Sequence, residues 1–547
     1  MAEIEKQMKY NINTVNHKNP VNKKTVKECG GCARRTIGKG PGMKWEKRGL
    51  PLLLAALLSF CLSACTQPGG EPQSSGDPSS SDEAFYTVDV YALGTAADPI
   101  RAEIEARANE ILEEACGAHV RLRYLGSKEN CLQQVKLAVS TGEKCDLFPS
   151  FEIGVGAMVN NNLILPLNEY LPLCGAEIRE DIPAEDWACV TMNGKICGVP
   201  INREKANGRG FVYRKDLAEE LGVDPDSIRT MDDLEALLIK VRDAYPDMYP
   251  IVTSTGLARL PLPYDRLGDS LGVLEDSFSD STRVVNLFET DSYRAMVELQ
   301  WKWANMGLMM PDGSSNTSNE FALIRAGKGF GHFANVKPDK ERETTSGTGY
   351  PTAIFQIVPP YSESTLVSSM WNICSTSGNP EKAMLVLNEM YTNPELANLF
   401  TYGIEGKTYR VVDREKRLIG RMEDWDIKQN QYSFAIWSWP NELLVDVWEG
   451  DPPDIWQRVQ RYNSEARPSP ARGFVWDDTK VLGQVTACTI VLDRYRDALE
   501  CGSLDPATAL PCMNEELRAA GIDEIVREKQ AQLDRWIVQQ KTPGAAG

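Results

Sequence analysis

From Tyr86 the chain alternates apolar and polar side chains through Val88, Val90 and Ala92, the period-two pattern of a half-buried strand. Asp98-Pro99 follows as an N-cap and first-turn pair, and Ile104, Ala108, Ile111, Leu112 and Ala115 then recur at helical spacing. Val120, Leu122 and Tyr124 alternate as a second strand, Leu132, Val135 and Val139 mark a second helix, and Asp146-Leu147-Phe148 reads as a short buried strand. Strand and helix alternating at this pace predict an α/β fold with a parallel, helix-covered sheet. Ligands sit off the carboxyl ends of such strands, which makes Pro149-Ser150-Phe151-Glu152 a candidate binding edge.

The same signals continue downstream. Met192-Asn193-Gly194-Lys195 has the composition of a tight turn, and Ile196–Ile201 and Gly210–Tyr213 flank a polar, glycine-bearing break. Thr230-Met231-Asp232-Asp233 resembles a capping box ahead of the apolar stripe Leu234, Leu237, Leu238 and Val241. Tyr293–Met306 reads as a helix in which Trp301 and Trp303 are structural. Asn379-Pro380 and Asn393-Pro394 are two cap-plus-proline starts and predict two consecutive short helices. The last hundred residues read as mostly helical, ending in the stripe Ile525, Val526, Leu533, Trp536 and Ile537.

The beginning of the chain follows a different pattern. Lys44, Lys47 and Arg48 precede an apolar run, Leu50–Leu62, that ends in Leu62-Ser63-Ala64-Cys65. A basic region, a short apolar core and small residues at a cut site make a secretory signal, and the run falls short of the roughly 20 apolar residues of a membrane-spanning helix. Leu-Ser-Ala-Cys resembles the bacterial lipobox, which would make Cys65 the lipidated first residue of the mature protein. Residues 66–83 are rich in Ser, Pro and Gly and read as a flexible tether. Met43 opens a conventional signal and is the expected start, with the leader 1–42 an upstream mistranslation; the alternative is an unusually long basic region, and Cys29-Gly-Gly-Cys32 within it carries no redox reading.

Charge sharpens this picture. Residues 1–64 are basic, whereas the remainder holds 47 Lys and Arg against 73 Asp and Glu. Such a surface repels nucleic acid and anionic lipid, so no nucleic-acid partner is expected and a lipid, not a basic patch, must hold the protein at a membrane. The ten cysteines beyond Cys65 form no C-x-x-C pair and the chain has three histidines, which argues against a structural zinc site. Disulfides and free buried thiols remain open for them. No G-x-S-x-G, H-E-x-x-H, phosphate-loop or dinucleotide fingerprint appears, so no cofactor and no catalytic set is expected.

Two segments carry a family resemblance: Asn193-Gly194-Lys195-Ile196-Cys197-Gly198-Val199-Pro200 with Phe211-Val212-Tyr213-Arg214-Lys215-Asp216-Leu217, and Asn379-Pro380-Glu381-Lys382-Ala383 with Tyr402-Gly403-Ile404-Glu405-Gly406-Lys407-Thr408-Tyr409. With Gly473-Phe474, Asp477 and Gly502-Ser503-Leu504-Asp505 near the C-terminus, the chain from Tyr86 to Trp536 resembles the family 1 extracellular solute-binding proteins of bacterial ABC importers, in their large lipoprotein branch. Thr408 stands where relatives often have histidine.

The resemblance implies a two-lobed periplasmic-binding-protein-like fold (type II) with several hinge crossings, near Val199–Phe211, near Ile354–Pro360 and after Gly403–Arg410. The expected lobes are 84–205 with 358–425, and 206–357 with 426–540 including a helical C-terminal region. The expected function is capture of a small solute, a sugar or oligosaccharide, at the outer face of the cytoplasmic membrane. The expected partners are the permease subunits of an ABC importer and the membrane through the lipid, with the protein itself a monomer. A surface carbohydrate-active enzyme and a non-transport signalling or adhesive lipoprotein are the alternatives. A sugar cleft needs flat aromatic faces and carboxylates or amides, and the candidate contacts are Phe151, Glu152, Tyr213, His332, Phe333, Trp371, Asn372, Glu405 and Trp437. Gly403 and Gly406 allow a close backbone approach, either to a ligand or to the other lobe.

Overall fold

Ten strands make two five-stranded sheets. In chain order they are β1 (Tyr86–Ala92), β2 (Ala118–Tyr124), β3 (Leu147–Ser150), β4 (Val199–Pro200), β5 (Asn207–Arg214), β6 (Tyr249–Ile251), β7 (Gly329–Val336), β8 (Thr352–Ser362), β9 (Met370–Ile373) and β10 (Arg467–Pro468). The helices that matter here are α1 (Asp98–Cys116), α2 (Lys128–Thr141), α3 (Met231–Ala244), α4 (Asp291–Asn305), α5 (Lys340–Thr348), α6 (Pro380–Thr392), α7 (Pro394–Tyr402), α8 (Ile455–Glu465), α9 (Leu482–Glu500), α10 (Pro506–Ala520) and α11 (Ile522–Gln540). They belong to a computed structural model that describes residues 85–541, apart from 152–153, 253–260, 312, 317, 366–369 and 423–431. The leader, the signal segment, Cys65, the tether and Glu152 lie outside the described residues.

The first sheet runs in the order β2-β1-β3-β9-β4. β1 is parallel to β2 and β3, as the alternation of strands and helices predicts, and β9 returns antiparallel to β3 and β4. The period of two sorts the side chains of β1. Val88 and Val90 enter the core shared with Ile104, Ala108 and Leu112 of α1, while Tyr91 and Leu93 pack on the other face with Val135 and Ala138 of α2. Each such aliphatic side chain stabilises by about 1.5–3 kcal/mol when fully buried, and a strand shifted by one residue would exchange the two sets between cores shaped for the other. Asp98 does not cap α1. Ala97 is the N-cap, and Asp98 sits in the first turn, where it accepts a hydrogen bond from Arg101 at 2.7 Å. Asn379 and Asn393 do cap α6 and α7 through their side chains.

The second sheet runs in the order β10-β8-β5-β7-β6, with β5 antiparallel to both neighbours. Its core joins Phe211 and Tyr213 of β5 to Phe330 and Phe333 of β7, Leu237 and Leu238 of α3, and Trp303 of α4. A side chain at Gly331 would come within 2.6 Å of the Phe211 ring, so the strand can pass under that ring only with glycine there. Thr230 and Asp233 form the expected capping box of α3. A third core joins α9, α10 and α11 to the segment around Leu271, Val273, Phe288 and Val297.

The chain passes from the first sheet to the second between β4 and β5 and returns between β8 and β9. The return does not lie at Ile354–Pro360, which is inside β8. Beyond α7 the chain stays with the first core longer than expected. Tyr432–Phe434 pairs with Gly94–Ala96, and Trp439 and Val445 are buried in that core, so the last passage runs through α8 to β10. The ten cysteines of the described residues are all free, and only Cys512 is exposed. Among the described residues no helix is long and apolar enough to cross a membrane, and no group of metal-ligating side chains gathers.

Candidate functional site

A cleft of about 800 Å³ opens where the segments between the two sheets meet. One wall is built by the end of α7 and the stretch from Phe434 to Glu449. The other is built by Phe321 and the turn from Lys337 into α5, with α8 and Glu204 completing the cavity. Its aromatic surface comes from Phe321, Tyr402, Phe434, Trp437, Trp448 and Trp456. Indole and phenyl faces suit the C–H face of a sugar ring, because they bury apolar surface while leaving the ring edge free for hydrogen bonds.

Local contacts fix these rings. Trp437 is 37 % exposed and meets Phe151 edge to face with ring centroids 5.0 Å apart. Its carbonyl accepts a hydrogen bond from Arg203 at 2.7 Å, and the Arg203 guanidinium lies 5.6 Å from the indole. Trp448 packs edge to face on Tyr402 at 5.1 Å. Tyr402 donates to the Asp446 carbonyl at 2.5 Å, and Trp456 donates to the Val445 carbonyl at 2.9 Å.

The polar lining is charged and only partly satisfied. Arg203 pairs with Glu204, and Lys337 lies 3.2 Å from Glu343 and 3.9 Å from Glu204. Arg342 pairs with Asp451, and Arg410 with Glu449 at 2.6 Å. Yet Arg203 Nε, Arg342 Nε and Asp339 Oδ2 are buried without a hydrogen-bond partner. Burial works to raise the Glu204 carboxyl, but the charges of Arg203 and Lys337 overcome it and hold the group down. Burial raises the Glu442 carboxyl, and the neighbouring negative charge of Glu204 raises it further, to about 7.

Of the residues expected to contact solute, Trp437 lines the cleft and Phe151 stands against it. Tyr213 and Phe333 lie in the core of the second sheet, with Phe333 5.1 Å from the Phe211 ring. His332 is buried under Phe321 at 5.8 Å, and burial followed by the charge of Lys340 pushes it down to about 3, so it is neutral. Trp371 is fully buried and donates to the Ser438 carbonyl at 2.9 Å, which ties β9 to the turn carrying Trp437. Asn372 is fully buried and donates to Phe148, Ser150 and Met370. Glu405 is exposed and pairs with Arg414 at 2.8 Å. Gly403, at φ 83, is closely approached by its own loop and by Tyr432: a side chain there would come within 2.6 Å of Thr408 Oγ1 and 3.0 Å of the Tyr432 ring. Thr408 closes that loop by accepting from Ile404 N at 2.7 Å and donating to Tyr402 O at 2.6 Å.

Sequence reasoning missed Trp448, Trp456, Glu204, Asp339, Arg342 and Glu442 as cleft residues. One signal was available. Trp437, Trp439, Trp448 and Trp456 place a third of the chain's twelve tryptophans in twenty residues without helical or strand periodicity.

Comparison with known proteins bears on the family and the fold. The family model described as "Bacterial extracellular solute-binding protein" matches residues 95–396, and that described as "Domain of unknown function (DUF3502)" matches residues 470–538, most of the α9–α11 region. A "Carbohydrate ABC transporter substrate-binding protein" of Streptococcus pneumoniae serotype 4 (strain ATCC BAA-334 / TIGR4) is 24% identical over 506 residues, covering 91% of this chain and 99% of the relative. The crystal structure of the N-glycan transport solute binding protein (NgtS) from Streptococcus pneumoniae superposes with a TM-score of 0.72 at 22% identity, covering 83% of this chain and all of that one. Its complex with Man5GlcNAc gives 0.70 at 22% identity over 84% of this chain and all of that one. An extracellular solute-binding protein from Bifidobacterium longum subsp. infantis gives 0.57 at 15% identity over 83% of this chain and 99% of that one. These structures share the two-lobed fold.

Proposed function

The chain belongs to the bacterial extracellular solute-binding proteins, and from that premise we propose that it captures a sugar or oligosaccharide in the cleft for an ABC importer. The observation that carries this reading is the cleft itself. About 800 Å³ is faced by three indoles and edged by buried polar atoms that lack partners, within the range of roughly 300–1,000 Å³ typical of small-molecule sites. Unpartnered buried donors and acceptors cost stability until a polar solute meets them, which favours a ligand rich in hydroxyls. The lobes are the two sheets with their helices, divided where the chain crosses between β4 and β5, between β8 and β9 and through α8. Closure is a hinge motion about those segments. The protein works as a monomer, docks on permease subunits in the membrane and is held outside the cell by the lipid on Cys65.

The test is ligand-dependent stabilisation without turnover. A saccharide that binds only the native state raises stability by about 2.7 kcal/mol at a hundredfold excess over Kd. Man1GlcNAc, Man5GlcNAc and kestose are the first solutes to screen by melting shift. Cleavage of a glycan would instead favour the surface-enzyme alternative. Here Glu204 and Glu442 are a low and a raised carboxyl in one cleft, but Arg203 and Lys337 engage Glu204 and blunt it as a nucleophile. For the anchor, Cys65→Ala should release the protein from the membrane or leave it unprocessed; normal processing and retention would remove the lipid from the proposal.

A further inference from the structure

Glu442 differs from the other charged groups of the cleft. It opens the 3-10 turn Glu442–Leu444, lines the cavity and is only 8 % exposed. Among the described residues no hydrogen bond or ion pair reaches its carboxylate. Its position is nonetheless fixed, because its backbone N–H donates to the Asn202 carbonyl at 2.9 Å and its neighbour Asn441 donates to the Tyr391 carbonyl at 2.9 Å.

The groups facing it come from four elements. Arg203 and Glu204 lie on the segment after β4, Lys337 follows β7, Glu343 is on α5, and the Tyr402 phenol ends α7. The cations are committed elsewhere: Arg203 to Glu204 and to the Trp437 carbonyl, Lys337 to Glu343 and Glu204. Arg203 and Lys337 act against the raise, but both are paired with other carboxylates, and burial together with the Glu204 anion outweighs them, the arrangement that keeps a carboxylic acid protonated so that it can donate a hydrogen bond.

We propose that Glu442 is the residue that reads the solute: as a neutral acid it donates a hydrogen bond to an acceptor oxygen of an uncharged saccharide, so the cleft takes neutral glycans in preference to glycans bearing carboxylates. The inference rests on the saccharide-receptor reading and narrows its substrate class. A solute carboxylate at this point would meet Glu204, and like charges placed together at an interface repel.

Two consequences differ from those of a merely structural glutamate. The folded chain holds this proton more tightly than the unfolded chain, whose glutamate has its ordinary value of 4.5. The group's contribution to stability is therefore complete below that value and is lost as pH rises toward about 7. If only the protonated form binds, apparent Kd for a neutral glycan rises about tenfold between pH 6 and pH 8, following the protonated fraction.

The experiment compares the wild-type protein with Glu442→Gln, which is isosteric and permanently neutral, in melts from pH 5 to 8.5 without ligand. Calorimetric titrations with whichever of Man1GlcNAc, Man5GlcNAc or kestose binds follow at pH 6 and pH 8. The proposal expects the ligand-free wild-type melt to fall relative to the variant as pH rises to 7, and the tenfold loss of affinity to be present in the wild type and absent in the variant. Parallel ligand-free profiles overturn it whatever binds. Diverging melts with the same pH dependence of Kd in both proteins also overturn it, as does equal affinity for a neutral glycan and its uronic-acid counterpart. If no glycan binds the wild type while the ligand-free melts still diverge, the saccharide reading falls and this inference with it; the acid's protonation has then been measured separately, so the two failures are told apart.

Discussion

Two polar clusters built from the same residue types each include residues of a chain crossing, Lys205 and Glu363 in one and Arg203 and Glu204 in the other, and they differ in how completely they are satisfied. Away from the cleft lining, Arg266 makes a two-pronged contact with Glu363 at 2.9 and 3.3 Å, and Asn207 adds a hydrogen bond to Glu363 at 3.1 Å. Asp265 accepts from Ser364 N at 2.7 Å, Ser364 Oγ at 2.8 Å and Leu267 N at 2.9 Å. Arg472 and Lys205 both pair with Asp186. None of these side chains has a buried polar atom without a partner, whereas Arg342 and Asp339 of the cleft lining, and Arg203 bound to its Glu204 and Trp437, each have one, and among the described residues no hydrogen bond or ion pair reaches the Glu442 carboxylate. A buried network with every member paired fixes the crossing segments in place; one left incomplete has capacity for something that is not part of the chain.

The comparison breaks first at Glu363. Truncating it to Ala leaves Arg266, 11 % exposed, as a buried charge without its partner, and loss of one member of such a pair costs about 3–5 kcal/mol. Urea denaturation of ligand-free protein should show that loss. A Glu363→Ala protein that unfolds at the wild-type midpoint but no longer binds saccharide would reverse the assignment of the two clusters.

Trp437→Ala tests the other side. The side chain is more than a third exposed, so the ligand-free fold loses little beyond its edge contact with Phe151, about 0.5–1.5 kcal/mol. The solute loses a stacking face, and Kd measured by calorimetry should weaken by about ten- to thirtyfold, or roughly 1.4–2 kcal/mol. Unchanged affinity would take the indole out of the site.

These residues also show what could be read in advance. The parallel start of the first sheet was legible because its signals are local, the alternation through Val88 and Val90 and the helical spacing of Ile104, Ala108 and Leu112, and so were the helix starts capped by Thr230, Asn379 and Asn393. Asp98 misled because proline at the first turn and an acid beside it look alike whether the cap is Asp98 or Ala97. The site was much less legible. Trp371 and Trp437 are the same residue type in similarly apolar surroundings, yet one is fully buried and the other forms the cleft rim. Which face of a strand or turn looks inward depends on partners hundreds of residues away. Glu442 carries no sequence signal because its character comes from burial in the folded chain and from the charge of Glu204, more than two hundred residues away.

Asp339 gives the smallest effect and the sharpest test of what incompleteness means. It stands at φ 58, the left-handed conformation that Asp and Asn tolerate better than most residues, and it precedes α5. One carboxylate oxygen accepts from Arg458 at 3.3 Å; the other, Oδ2, is buried at the cleft with no partner. Asp339→Asn keeps the backbone preference and the size, and its amide oxygen can still accept from Arg458, so ligand-free stability should stay within about 0.5 kcal/mol of wild type. At Oδ2 the substitution replaces an anionic acceptor with a donor. A saccharide hydroxyl that donates to that oxygen loses a charge-assisted hydrogen bond, and affinity should fall about tenfold, or roughly 1.4 kcal/mol. Matched melts and calorimetric titrations separate the two quantities. If both remain at wild-type values, an unpartnered atom in this cleft is only a tolerated defect, and the distinction between the two clusters cannot be used to locate the rest of the solute's contacts.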